Sequence, residues 1–497
     1  MRRAAAGRRR RLGRIGIALL PVAVALVACR QPPSGPTATP PAARPLERAP
    51  DRPDILLVSI DSLRPDHLGC YGYTRPTSPA LDQLAAQGVR FTQAVSSTSW
   101  TLPAHAALFT GREEEEHGVT RNGLRLNEAQ ITLAEVLRDL GYQTAGFFAG
   151  PYLHPTFGLG QGFSTYASCM AGLSGELAED QVREAAQAEA GPAMEQETGS
   201  CSVERFGAYL DQADARPAFL FVHLWDVHYD YAPPPPWDQA FDPDYRGAAD
   251  FSRLAVNPAV HAAMDPRDRE HLLALYDGEI RWTDSNVARL LELHAQRREG
   301  RELLVVVLSD HGEEFFEHGG KGHQQTLFEE VVRIPLIFHW PGHLPAGATV
   351  PGLVRIIDVF PTLLELVGAT PPEPIAGRSL VALLRGGELP ELPALLELRV
   401  HPEKPLAALR SARGKLLLGR WPAAPAYYDL ATDPGELRPL AGRAELERAG
   451  LRDLKRRLVR AGDFLDRHPD RAPVGVRPDD EIARQLMALS YLGDGEK

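Results

Sequence analysis

The chain has 497 residues, 44% of them hydrophobic, and a formal net charge of −11 at pH 7. That length allows one large domain or two or three ordinary ones, and that apolar content is enough for a sizeable core. A surface of this sign does not attract nucleic-acid phosphate, so an anionic substrate would need locally concentrated positive charge, such as a metal ion.

Residues 1–14 hold seven arginines and run into IGIALLPVAVALV, which stops just before Ala28 and Cys29. A basic start, a short apolar stretch and small residues before a cut describe an export signal over residues 1–28. Such a stretch is too short to span a bilayer comfortably as a helix. The cysteine at the cut resembles a bacterial lipobox. That likeness implies acylation of Cys29 and an exported chain, anchored by lipid alone and facing the periplasm or cell surface; a plain secretory peptide with an incidental cysteine is the alternative. Residues 29–53 include eight prolines and read as a semi-extended tether. Removing residues 1–28 leaves 47 Lys and Arg against 65 Asp and Glu, a balance of −18.

Beyond the tether, ILLVSI (55–60), AFLFVHLW (218–225), LLVVVLS (303–309) and RIPLIFHW (333–340) are continuous apolar runs. Unbroken rather than alternating hydrophobicity fits parallel strands covered on both faces. Helical patterns lie between them in SPALDQLAAQG, ITLAEVLRDLG and IRWTDSNVARLLELHAQ. The alternation predicts an α/β doubly wound domain over residues 54–393. Residues 162–216 are acidic and alanine-rich, and read as a helical insertion running over the surface. A small α+β subdomain is expected over residues 394–497, with two short strands, a turn and an amphipathic helix. Besides Cys29 there are Cys70, Cys169 and Cys201, with no metal-binding CxxC spacing. Whether Cys169 and Cys201 pair is left open.

Three of the strands end in chemistry: Asp61 after the first, Asp226-Val227-His228 after the second, Asp310-His311-Gly312 after the third. In open α/β sheets the binding crevice lies outside the carboxyl ends of the strands. One such Asp is commonly a turn residue or a helix cap. Three together, two with histidine, point to a metal site, and mixed oxygen and imidazole ligands suit Mn, Zn or Fe. In SWTLPAHAALFTG (99–111), Pro103 fits the first turn of a helix and Gly111 its end. Thr101 then sits at a helix N-terminus, where free N–H groups attract anions. A hydroxyl bound there to a divalent metal becomes a nucleophile; as a plain helix cap it would have no chemical role.

The stretches PDILLVSIDSLRPDHLGCYGY, SWTLPAHAALFTG, FLFVHLWDVHYDYAPP, YDGEIRWTD, LSDHGEEFFEHGGKGHQQTLFEEVVRIPLIF, DVFPTLLELVG and YYDLATDPGE occur in the order found in the sulfatase family of the alkaline phosphatase superfamily, which the chain resembles over residues 53–440. The resemblance implies an alkaline-phosphatase-like sheet with helices on both faces. It implies metal ligands at Asp61, Asp310 and His311, the nucleophile at Thr101, and a donor to the transferred group at Asn122. Substrate-side basic residues fall on His228 and His323, with Lys321 nearby. The family's formylglycine motif begins with Cys or Ser and carries an Arg. Here it reads Thr101-Leu102-Pro103-Ala104-His105, and oxidation of a threonine gives a ketone rather than an aldehyde. His105 takes the place of the Arg as a substrate-binding candidate, and Ser62 replaces a second Asp.

The expected activity is hydrolysis of sulfate or phosphate/phosphonate esters through Thr101. One divalent metal ion (Mn, Zn or Ca) would be held by Asp61, Thr101, Asp310 and His311, with Asp226 in a possible second site or orienting His228. The substrate is expected to be a small-molecule, glycan or lipid-linked ester. The alternatives are a phosphotransferase of the phosphoethanolamine or phosphoglycerol type and a catalytically inactive glycan-binding lipoprotein.

Overall fold

Four continuous apolar runs form most of the middle of one eight-stranded sheet in the computed structural model. The structure describes residues 52–170 and 198–488, apart from residues 402, 404, 420–424, 441–443 and 479. The expected export signal, Cys29 and nearly all of the tether lie outside the described residues, as does 171–197 of the expected insertion. No helix among the described residues is long and apolar enough to cross a membrane.

The strands are β1 (Asp54–Ile60), β2 (Val89–Val95), β3 (Gln143–Phe148), β4 (Thr165–Ser168), β5 (Ala218–Leu224), β6 (Leu303–Ser309), β7 (Arg333–His339) and β8 (Ala348–Arg355). Their order is β8-β2-β7-β6-β1-β5-β3-β4. Every pairing is parallel except those of β7, which runs against both neighbours. Alternate residues of β1 serve two cores. Ile55 and Leu57 pack on one face, Leu56, Val58 and Ile60 on the other, all essentially without solvent contact. That two-sided burial is why the run shows no polar alternation.

Helix α1 (Pro79–Gln87) covers the face that carries Leu56, as do α4 (Thr198–Leu210) and α5 (Pro266–Arg297). Helices α2 (Thr101–Thr110), α3 (Leu133–Asp139) and α6 (Val359–Leu366) cover the other. α5 starts earlier than its apolar periodicity predicts, because Asp265 caps it by accepting the Arg267 N–H at 2.8 Å and Pro266 opens its first turn.

The 162–216 stretch is less superficial than its composition implies. β4 forms the edge strand beside β3, and α4 buries Val203, Phe206 and Leu210 against the sheet. Cys169 and Cys201 form a disulfide with their Cα atoms 5.7 Å apart, tying the end of β4 to α4. Past the main sheet come four antiparallel strands, β9 (Ala394–Leu398), β10 (Leu406–Arg410), β11 (Gly414–Leu418) and β12 (Ala426–Asp429), rather than the two expected. They are followed by α7 (Ala444–Arg467) and α8 (Asp480–Ala488). From α7, Leu454, Ala461 and Phe464 are buried, and the Arg112 guanidinium lies 4.2 Å over the Phe464 ring.

Candidate active site

β1 lies between β5 and β6, with Ile60 in register with Leu224 on one side and Ser309 on the other. Asp61, Asp226 and Asp310 therefore leave the sheet along one edge. Two of them converge. Ser62, in the left-handed region at φ 54°, donates its hydroxyl to Asp61 Oδ1 at 2.7 Å and its N–H to Asp310 Oδ1 at 3.3 Å. The serine at the position of the family's second Asp thus ties the two carboxylates together.

The hydroxyl of Thr101 joins them from the first turn of α2. Trp100 is extended and precedes the helix, so Thr101 is its first residue rather than its cap. Thr101 Oγ1 lies 3.5 Å from Asp61 Oδ2 and 3.2 Å from His311 Nε2. His311 Nε2 is 3.8 Å from Asp61 Oδ1 and 3.5 Å from Asp310 Oδ2. All four residues are fully buried. His311 Nδ1 donates to the Gly312 carbonyl at 2.9 Å, which leaves a lone pair on Nε2 in the neutral ring.

Asp310 Oδ2 and His223 Nε2 are buried with no hydrogen-bond partner among the described residues. Burial raises the Asp310 carboxyl well above its usual range, and the nearby Asp61 charge adds to that. Burial also acts to raise Asp61, but the neighbouring imidazoles of His223, His228 and His311 outweigh it and hold the group below the ordinary carboxylate range. Two adjacent carboxylates of which only one stays ionised, with an acceptor oxygen left unpartnered, suit a divalent cation. Asp61, Asp310 and His311 hold ligand atoms within 4.8 Å of one another, and so do His105, His223 and Asp310.

The second set is spent at His105. Its Nδ1 donates to the Thr101 carbonyl at 2.8 Å, and its Nε2 accepts from Ser59 Oγ at 3.0 Å. His105 lies beneath Thr101 rather than in front of it, fully buried, and burial pushes its imidazole down to about 3. A third cluster, Glu314, His318 and Glu330, has a histidine whose two ring nitrogens face Glu330 Oε1 at 2.7 Å and the Glu436 carbonyl at 3.2 Å, so it donates from both and does not ligate.

His228 and His323 stand together beside this centre. Their ring centroids are 4.9 Å apart, and His323 lies 4.4 Å from the His311 ring. His228 Nδ1 faces the Tyr229 carbonyl, and its ring stacks on Trp225 at 3.8 Å. His323 Nδ1 faces Glu313 Oε1 at 3.1 Å. Burial pushes His228 down to about 3 and Glu313 up to about 7.

Three expected groups are engaged by partners outside the carboxylate–imidazole cluster. Asp226 accepts from the Gly199 N–H at 3.2 Å, Thr198 Oγ1 at 3.3 Å and Trp282 Nε1 at 3.3 Å, so its carboxylate seats the start of α4. Lys321 Nζ donates to the carbonyls of Asn257 and Val260, both at 2.6 Å, and pins that loop. Asn122 Oδ1 accepts from Tyr152 at 2.7 Å, and the Tyr152 ring packs edge-on to Trp100, the residue before Thr101. The sequence reading missed His223, Glu313 and Tyr231. His223 was hidden inside an apolar strand, although its register partner on β1 is the polar Ser59.

Comparisons with known proteins identify the family. The family model described as Sulfatase matches residues 53–369, and that described as N-sulphoglucosamine sulphohydrolase, C-terminal, matches residues 317–462. The ulvan-active sulfatase of Formosa agariphila is 26% identical over 420 residues, covering 80% of this chain and 79% of that one. Human arylsulfatase A is 28% identical over 432 residues, covering 77% of each. The crystal structure of the phosphonate monoester hydrolase of Agrobacterium radiobacter superposes with a TM-score of 0.64 at 25% identity, over 86% of this chain and all of that one. With its mostly parallel sheet, its small C-terminal subdomain and the acidic-imidazole centre at the strand ends, the chain belongs to the sulfatase family and is a sulfuric ester hydrolase by kinship.

Proposed function

We propose that the chain hydrolyses esters of a monoanionic tetrahedral centre, a sulfate monoester or a phosphate or phosphonate diester-type centre, with Thr101 as the nucleophile. The observation that carries the reading is the Thr101 hydroxyl, at 3.5 Å from Asp61 and 3.2 Å from His311, beside an Asp310 oxygen with no hydrogen-bond partner. Sulfate monoesters and phosphonate monoesters share a single negative charge at the reacting centre, which one divalent cation can balance. The ulvan-active relative and the phosphonate monoester hydrolase neighbour fall on the two sides of that shared chemistry.

Asp61, Asp310, His311 and Thr101 Oγ1 would hold one divalent ion, Mn, Zn or Ca. When bound, that ion lowers the pKa of the threonine hydroxyl and offsets charge on the transferred group. Thr101 Oγ passes its proton to Asp61, toward which it is directed at 3.5 Å, and forms the bond to sulfur or phosphorus as the ester oxygen departs with its electron pair; the proton returns to Thr101 Oγ when the threonyl ester is cleaved. The amide of Asn122 and the free N–H groups of the first turn of α2 hold the equatorial oxygens. His323 or His228 protonates the departing oxygen, and the same ring then takes a proton from the water that cleaves the threonyl ester. His105 steadies the first turn of α2 through its bond to the Thr101 carbonyl.

A glycan sulfate is the favoured natural substrate class, on the likeness to the ulvan-active enzyme. The chain is further proposed to be exported and held at a bacterial membrane by a lipid on Cys29. A panel of aryl sulfates, aryl phosphodiesters and phosphonate monoesters, each with Mn, Zn or Ca, tests the activity. Thr101→Ala is expected to abolish turnover while a divalent ion still binds, and turnover at the wild-type rate would remove Thr101 from its role. A metal-binding chain with no turnover on any ester would favour the glycan-binding alternative.

A further inference from the structure

Glu313 is fully buried, and no Lys or Arg bonds its carboxylate among the described residues. Among the described residues its two oxygens each meet one group. Oε2 accepts from the Tyr231 hydroxyl at 3.0 Å, and Oε1 faces His323 Nδ1 at 3.1 Å. The backbone around it is fixed: its N–H donates to the Glu330 carbonyl at 3.1 Å, and its carbonyl accepts from Arg64 at 3.0 Å. A short hairpin does the rest. Glu314–Phe315 pairs antiparallel with Lys321–Gly322, Glu314 opposite Gly322, so the next position on each arm sets Glu313 against His323.

His228, the other candidate proton donor, is held differently at Nδ1. That nitrogen faces the neutral Tyr229 carbonyl. A carboxylate oxygen thus meets Nδ1 of His323, where a backbone carbonyl meets Nδ1 of His228.

We infer that Glu313 is a positioning residue for proton transfer, holding the Nδ1–H of His323 so that Nε2 is the atom that serves the leaving group, and that Tyr231 seats Glu313 in turn. The inference rests on the reading of this centre as an esterase site with a histidine proton donor. As the bond from sulfur or phosphorus to the leaving oxygen breaks, its electron pair stays on that oxygen and the proton passes to it from His323 Nε2. His323 is left neutral, with its Nδ1–H still donated to Glu313. The arrangement is that of a carboxylate fixing the tautomer and orientation of a working histidine.

The test is a leaving-group series of substituted phenyl sulfates and substituted phenyl phenylphosphonates, from 4-nitrophenyl to unsubstituted phenyl, read as kcat and KM. A phenyl leaving group needs its proton and a 4-nitrophenyl group does not. Glu313→Gln is expected to lower kcat on the phenyl ester about 10²-fold with little change in KM, and to spare the 4-nitrophenyl ester. Glu313→Asp recovers part of the loss. Glu313→Gln in a His323→Ala background adds no further loss. Tyr231→Phe, which keeps the ring and the fold, shows the same selectivity in weaker form and serves if Glu313→Gln does not fold.

A His323→Ala enzyme with the wild-type leaving-group dependence would overturn the proton-donor reading itself. A leaving-group-selective loss in His323→Ala, with an equal loss across the series in Glu313→Gln, would overturn the role of Glu313 alone.

Discussion

His223 Nε2 lies 3.4 Å from Asp61 Oδ2, while Nδ1 of the same ring lies 2.7 Å from the Ala149 carbonyl. The carbonyl can only accept, so Nδ1 carries the proton and Nε2 turns its lone pair toward the carboxylates. A ring held this way is either a ligand or an immediate neighbour of one. His223→Ala is expected to weaken divalent cation binding about 10- to 100-fold, by titration of the metal-stripped protein with Mn. Unchanged affinity would leave His223 a packing residue only.

Stripping the cation with a chelator is expected to abolish turnover and to make stability depend on pH. In the stripped centre Asp310 has its carboxyl raised, so its folded pKa exceeds its unfolded one. Such a group stabilises below the unfolded pKa, and that contribution is lost as pH rises through the folded pKa. The gap in Tm between loaded and stripped protein should therefore widen from pH 5 to pH 8. A gap independent of pH would mean that the two carboxylates do not share one cation.

The far end of β1 carries the opposite case. Burial works to raise Asp54, but hydrogen bonds from His294 at 2.9 Å and Arg298 at 2.9 Å, with the Ala218 N–H, hold it down to about 2. A depressed carboxylate stabilises above its unfolded pKa near 3.9, and that stability is lost as pH falls toward 2. Asp54→Asn is expected to cost about 2 kcal/mol at pH 7 by denaturant unfolding, with the difference shrinking below pH 4. An equal cost at pH 7 and pH 3 would assign it to packing.

The disulfide reaches the site through one aromatic ring. Trp225 packs with Ala149, Cys169 and Met170, with Cys201 against them, and its other face stacks on His228. A Cβ on Gly150 would stand 2.5 Å from the Trp225 ring, so the packing there leaves no slack. With the cysteines 32 positions apart in sequence, replacing both by Ser should cost about 3–4 kcal/mol of stability in the chain-entropy account. A several-fold fall in kcat should accompany it, as the ring under His228 loses its support. Unaltered kcat would show that the Trp225 shelf holds without the bridge.

Most of the scaffold was legible because its chemistry is local. The continuous apolar runs of β1, β5, β6 and β7 have no other comfortable home than a covered sheet, and Asp61 and Asp310 follow two of them directly. Pro103 and Gly111 marked the ends of α2, with Gly111 in the left-handed region at φ 65°. What could not be read was direction. Asp226 also follows a strand, yet its oxygens are claimed by Thr198 and Gly199 at the start of α4, from the far side of the chain segment 171–197. Lys321 sits two residues from His323, the same-face spacing of a strand, but Gly322 between them is in the left-handed region at φ 80° and the ammonium turns to the carbonyls of Asn257 and Val260. His223 and Glu313 carry polar chemistry that only the register of β5 on β1 and the Glu314–Gly322 hairpin bring into place.

Asn122 shows how a distant element fixes a loop near α2. Its side-chain oxygen is taken by the Tyr152 hydroxyl at 2.7 Å, which fixes the NH2 as the donor end of the amide. The loop that carries it is clamped by the chain beyond α7: Val476 donates to the Gly123 carbonyl at 2.8 Å, and Val474–Gly475 pairs with Leu124–Arg125. Tyr152→Phe removes one hydrogen bond and leaves the ring against Trp100, so kcat/KM is expected to fall only about 5- to 10-fold. In the proposed mechanism Asn122→Asp puts a negative charge where a donor would hold the transferred group, and the fall should reach about 10²- to 10³-fold. Both losses should appear on sulfate and phosphonate esters alike, since the equatorial oxygens are common to the two. Loss on one class alone would move Asn122 from holding the reacting centre to recognising the rest of the substrate.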